Sequence, residues 1–153
     1  MRGEELAPSG PAVAPVTTAA SARAYARAMV DARWNPSLQP AREEDVIDLL
    51  LVVSEMVTNA IRHGGGLAGF EAVPLHDGIR LTVHDHSDVV PSAAYGSGAP
   101  PGGHHGSGYG WPLIIRLARD ISIDTRASGG KTISAFVPVR TAVPARSADG
   151  PYG

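Results

Sequence analysis

The run Ser54-Glu55-Met56-Val57-Thr58-Asn59-Ala60-Ile61-Arg62-His63-Gly64 decides how the chain is read. Glu55, Asn59 and Arg62 follow one another at intervals of four and three, so a helix puts them on a single polar stripe. Leu49, Val53, Met56, Val57 and Ala60 fall on a different face, predicted to meet a sheet. Upstream, Pro40 suits a first helical turn, and Glu43, Glu44 and Asp45 sit where the positive end of the helix dipole lies. Gly64-Gly65-Gly66 is a strong stop, so the spacing predicts a helix from about Pro40 to His63. By itself the polar stripe fits two readings, a solvated helix face or a face turned to a ligand.

Working outward, Thr17 or Thr18 is placed to cap an alanine-rich helix that reaches about Ala32 and is broken by Trp34-Asn35-Pro36. Beyond the triple glycine the period changes to two. Ile79, Leu81 and Val83 alternate with Arg80, Thr82 and His84 after a His76-Asp77-Gly78 turn, which predicts a hairpin with a partner strand at about Leu67 to Leu75. Residues 88–109 are rich in glycine and proline and poor in apolar anchors; so long a loop inside a small domain predicts a functional lid. A helix near Trp111 to Arg119, a strand at 121–126, a Ser128-Gly129-Gly130 turn and a strand at 131–139 complete the order. The expected architecture is α+β, a two-layer sandwich with helices on one face of a mixed, mostly antiparallel sheet.

The 153 residues suffice for one domain with one core, and 43% hydrophobic against 18% charged residues is ordinary globular composition. The alanine-, proline- and glycine-rich segments 1–16 and 141–153 read as flexible tails, which leaves an ordered domain at 17–140. A formal charge of −2 with scattered basic residues argues against a nucleic-acid surface. With no cysteine there is no disulfide framework or thiol chemistry. The N-terminal stretch lacks the apolar core of a secretory signal, and the longest apolar run, Leu49 to Val53, is too short to span a bilayer. The expected location is cytoplasmic.

Three further segments carry chemistry. Asp85 has the strand parity of Ile79, Leu81 and Val83, so its carboxylate points to the core side and requires donors, a purine's exocyclic amine being one. The competing reading ends the strand earlier and leaves Asp85 in a turn with Ser87 and Asp88. Gly106-Ser107-Gly108-Tyr109-Gly110 precedes a helix, an arrangement that lets backbone N–H groups approach phosphate oxygens, although glycine-rich loops are common. Gly129-Gly130-Lys131-Thr132 is no P-loop. Thr125 stands where that motif needs glycine, and Ile133, Ala135 and Val137 alternate as a strand does.

Taken together, the segments resemble the GHKL (Bergerat-fold) ATPases, and among them the compact anti-sigma-factor serine/threonine kinases. Ser54 to Gly64 looks like that family's N box, Val83-His84-Asp85-His86-Ser87 like its first glycine box, Gly106 to Gly110 like the second, and Gly130-Lys131-Thr132 like the segment after it. The likeness covers about residues 20–139. It departs at Ser87, where the wider superfamily has glycine, and at Tyr109, Trp111 and Pro112, which stand where small or aliphatic residues are usual.

The resemblance implies ATP and Mg²⁺ as cofactors. It gives Glu55 the part of general base, Asn59 that of magnesium ligand and Asp85 that of adenine-amine acceptor, with Thr132 supporting Asp85 through water. Arg62 and His63 are implied near the phosphates. Ser87, Gly106, Ser107, Gly108, Tyr109, Gly110 and Lys131 are implied to line the nucleotide. A sigma factor and an anti-anti-sigma (STAS-type) protein are the implied partners, with no direct nucleic-acid or membrane contact, and a homodimer is a state the family adopts. An ATP-gated interaction module without phosphotransfer is the alternative. A sensor histidine kinase is set aside, because the helix at 17–32 holds no phosphoacceptor histidine. A metal site from His84, His86, His104 and His105 is the reading from a third class; it is weighed against the solvated character of the strand face that carries the first two.

Overall fold

The computed structural model describes residues 15–91 and 105–143, and for residues 105–109 the backbone alone. Two helices open the fold, α1 (Ala19–Arg33) and α2 (Glu43–His63). A hairpin of β1 (Leu67–Leu75) and β2 (Gly78–Asp85) follows. Then come α3 (His105–Leu117) and a second hairpin, β3 (Arg119–Thr125) and β4 (Lys131–Pro138). The strands form one sheet in the order β1-β2-β4-β3. All three pairings are antiparallel among the described residues, whereas a mixed sheet was expected.

Local chemistry explains the ends of α1. Thr18 accepts from the Ser21 N–H, and the Ser21 hydroxyl accepts from the Thr18 N–H, a reciprocal capping box. Trp34 ends the helix in extended backbone, with the Arg33 guanidinium stacked 4.7 Å from its ring.

The second helix starts at Glu43, three residues later than the sequence suggests. Residues 40–42 are drawn instead into extended pairing with the chain beyond β4. Ala41 bridges Thr141, the Arg42 N–H donates to the Arg140 carbonyl, and the Ala142 N–H donates to that of Pro40. Asp45 in the first turn locks this junction, accepting from the Arg140 backbone N–H at 2.9 Å and from its guanidinium at 3.0 and 3.1 Å. Burial alone would push the Asp45 carboxyl up. The Arg140 hydrogen bonds and charge, with help from Arg42, outweigh it and hold the group below its ordinary value.

Leu49, Val53, Met56, Val57 and Ala60 of α2 are buried against Ile79, Leu81 and Val83 of β2 and Ile133, Ala135 and Val137 of β4. Ala22, Ala26 and Val30 of α1 and Trp111 and Ile114 of α3 close the same core from either side. The helices therefore cover one sheet face. The other is polar at Glu71, Thr82, His84 and Ser134, and Phe136, over which Arg80 lies at 6.0 Å, is its buried exception.

The third helix differs from expectation. Its backbone is helical from His105, so Gly106 to Gly110 form its first turns instead of a preceding loop. Glycine disfavours helix by about 1 kcal/mol per residue, but burial of Trp111 and Ile114 and the packing of α3 on α2 override that cost. Of the expected lid at 88–109, residues 92–104 lie outside the described residues.

Candidate functional site

Two clusters stand on neighbouring elements. The first lies where the C-terminus of α2 meets the end of β2. Asp85 does share the core-facing parity of Ile79, Leu81 and Val83 and is 2% exposed. Its Oδ2 pairs with Lys131 Nζ at 2.8 Å, and its Oδ1 accepts the Ser87 N–H at 3.0 Å. Lys131, itself 3% exposed, also donates to the Ser87 carbonyl at 3.3 Å. The carboxylate is pressed against Gly64: a methyl group there would collide with Asp85 Oδ2 and lie 2.9 Å from the Ala60 carbonyl oxygen. The His86 N–H donates to the Gly64 carbonyl, fixing the glycine turn to the strand end.

Arg126, which the sequence did not single out, braces this cluster from behind. Its guanidinium donates to the backbone carbonyls of Asp85 at 2.8 Å and Lys131 at 2.6 Å. Gly130, at φ +85°, leaves the space that Arg126 fills.

The second cluster lies between α2 and α3. Glu55 and Asn59 sit one turn apart on the flank of α2 that α3 covers. Gly110 is the point of closest approach: a Cβ there would stand 2.6 Å from Glu55 Oε1 and 3.1 Å from Asn59 Nδ2. Among the described residues Asn59 Nδ2 is buried without a hydrogen-bond partner. A buried amide N–H left without a partner costs about 1–3 kcal/mol, so an acceptor brought within its reach would be favoured there. The donor set suits a nucleotide and its magnesium ion: an amide beside a carboxylate at one end, and a buried carboxylate that accepts amine protons at the other.

The profile of the histidine kinase-like ATPase domain family matches residues 15–136. The chain belongs to that family. No curated protein and no solved structure matches it. Family membership makes this an ATP-binding domain of the GHKL type, and α2 of the ATPase domain carries the residues expected of its N box. No helix among the described residues is long and apolar enough to cross a membrane.

The remaining candidate residues are distributed unevenly around the two clusters. Arg62 and His63 are exposed at the end of α2, and Arg62 does not join Glu55 and Asn59 beneath α3. Ser87 is drawn into the Asp85 cluster through its backbone, while its hydroxyl accepts the Val89 N–H. Gly106, Ser107, Gly108 and Tyr109 are helical in backbone, and their side chains lie outside the description. Thr132 is a correction. Strand register pairs Asp85 with Lys131 and His84 with Thr132, so Thr132 faces the opposite side of the sheet from Asp85. Its hydroxyl meets His84 Nδ1 at 2.9 Å and Arg126 at 3.2 Å, and Lys131 holds the place beside the carboxylate.

Of the histidines weighed as a metal site, the described ones do not share a ligand position. His84 is occupied by Thr132, His86 is exposed, His104 lies outside the described residues, and the side chain of His105 is not described. Among the described residues no group of three or more His, Asp or Glu side chains could hold a metal ion.

Proposed function

We propose that this ATPase domain is a serine/threonine protein kinase acting as an anti-sigma factor, which transfers phosphate to an anti-anti-sigma partner of the STAS type. The observation that carries the kinase reading is the juxtaposition of Glu55 and Asn59, one turn apart on the flank of α2 that α3 approaches at Gly110. In this reading Glu55 accepts the proton of an attacking hydroxyl as the γ-phosphoryl group leaves ATP. Asn59 would hold Mg²⁺ through its amide oxygen, and the ion would neutralise charge on the phosphates. Asp85 anchors the adenine amine at the far end. The anti-sigma role and its partners rest on the resemblance of residues 54–64 and 83–87 to the compact kinases of that kind.

A second reading has an observation of its own. Gly110 brings α3 directly onto Glu55, which suits a domain whose nucleotide moves α3 and changes partners without phosphate transfer. Labelled γ-phosphate offered with a STAS-type protein separates the two. The kinase reading expects label on a serine or threonine of the partner, lost in Glu55→Ala while ATP still binds. ATP binding without any labelling in the native protein would select the ATP-gated module.

A further inference from the structure

We propose that Lys131 is a specificity-determining residue of the nucleotide site, a second reader of the purine edge that donates to N1 while Asp85 accepts from the 6-amine. The inference rests on the ATP-binding reading above and extends it to a residue whose part that reading leaves open.

The register of β2 against β4 sets Lys131 directly opposite Asp85, both on the core-facing side. A lysine 3% exposed is held there only because its ammonium is paired. An ammonium has three N–H donors. One goes to Asp85 Oδ2 at 2.8 Å and one to the Ser87 carbonyl at 3.3 Å, and among the described residues no acceptor takes the third. Asp85 is an acceptor with lone pairs to spare, since a carboxylate offers about four sites and two donors are recorded on it.

An acceptor and a donor therefore stand side by side, and adenine presents the complementary pair, an N–H of the 6-amine beside the N1 lone pair. Guanine and hypoxanthine invert both positions, with a 6-oxo oxygen facing the carboxylate and N1–H facing the ammonium. Buried groups left facing their own kind discriminate strongly. Arg126 donates to the main-chain carbonyls of both residues and so ties the two strand ends together at this point of the register.

Calorimetry with ATP and 1-deaza-ATP, in which N1 is replaced by C–H and the 6-amine is kept, tests the assignment on the native protein and on Lys131→Met and Lys131→Arg. The native protein is expected to bind 1-deaza-ATP roughly tenfold more weakly than ATP, as loss of one hydrogen bond to a charged donor requires. Lys131→Arg, which keeps a donor, should retain some of that preference, and Lys131→Met should bind the two alike, with GTP no longer excluded as strongly. The native comparison stands even where Lys131→Met fails to fold. Equal binding of ATP and 1-deaza-ATP by native protein, or the same preference surviving in folded Lys131→Met, overturns the assignment and leaves the ATP site intact. Failure of native protein to bind ATP at all overturns the site and this assignment together.

Discussion

Replacing Gly64 with alanine adds one methyl group at the point where the Asp85–Lys131 pair is most confined. The backbone at Gly64 has φ −102°, which any residue adopts, so the substitution carries no conformational strain of its own. The cost is steric. The new Cβ would run into Asp85 Oδ2, stand 2.7 Å from its Cγ and 2.9 Å from the Ala60 carbonyl oxygen, where ordinary contact begins near 3.4 Å. Asp85 cannot turn aside, because Lys131 holds one oxygen and the Ser87 N–H the other.

Overpacking by a methylene costs about 1–3 kcal/mol, and prising apart a buried ion pair approaches about 3–5 kcal/mol. A loss of about 3 kcal/mol is therefore expected for Gly64→Ala, which lowers Tm by about 10 °C in a domain of this size. Urea denaturation followed by circular dichroism measures it. Gly129→Ala is the control, since Gly129 has φ +101° with nothing within 4 Å of an added Cβ. There only backbone strain of about 1–2 kcal/mol applies. A Gly64→Ala protein as stable as the native one, or no less stable than Gly129→Ala, would refute the claim that this glycine exists to admit the carboxylate.

Other outcomes follow from the same geometry. Asp45→Asn should cost about 2 kcal/mol at neutral pH, a figure kept below that of a fully buried pair because Arg140 stands in solvent. Since the folded state holds Asp45 below its ordinary value, its contribution is present above about pH 4 and is lost as the pH falls through the lowered folded value, so Asp45→Asn should flatten the acid limb of a stability–pH profile. Arg126→Ala should cost about 2 kcal/mol in urea denaturation, because two backbone carbonyls lose a charged donor. Gly110→Ala should change stability by no more than about 1 kcal/mol, since better helix propensity offsets the crowding and Glu55 Oε1 is the free end of a flexible chain. Turning Glu55 away should nevertheless lower phosphate transfer about tenfold with ATP affinity retained, and transfer at the native rate would contradict the placement of Glu55.

Much of the fold was legible because its signals are local. Thr18 ahead of an alanine-rich run, three glycines after His63 and the strict alternation from Ile79 to Asp85 each fix a boundary or a face by short-range physics, and each stands where the pattern placed it. What was not legible depends on distant partners. The start of α2 is delayed by pairing with Arg140 and Thr141, about a hundred residues away, and the glycines of α3 become helical only through packing on α2.

The candidate site divides the same way. Periodicity put Glu55 and Asn59 on one stripe and gave Asp85 the parity of the core-facing strand residues. The roles of the first two came from the family resemblance, and Arg62, on the same predicted stripe, is exposed and apart from them. The error at Thr132 was one of parity: Lys131 has the phase of Ile133, Ala135 and Val137, so the lysine and not the threonine had to face the core and find a carboxylate. That signal lay in the sequence. Arg126 gave none, because its targets are main-chain carbonyls brought together only by the fold.

The central claim, that the Asn59 and Asp85 clusters bind one nucleotide, is tested most directly by Mg-ATP calorimetry on the native protein, Asn59→Ala and Asp85→Asn, each checked for folding by circular dichroism. The account predicts binding at a single site by the native protein and its loss in both folded variants. A folded native protein that takes up no Mg-ATP, or variants that bind it as the native protein does, would contradict the account.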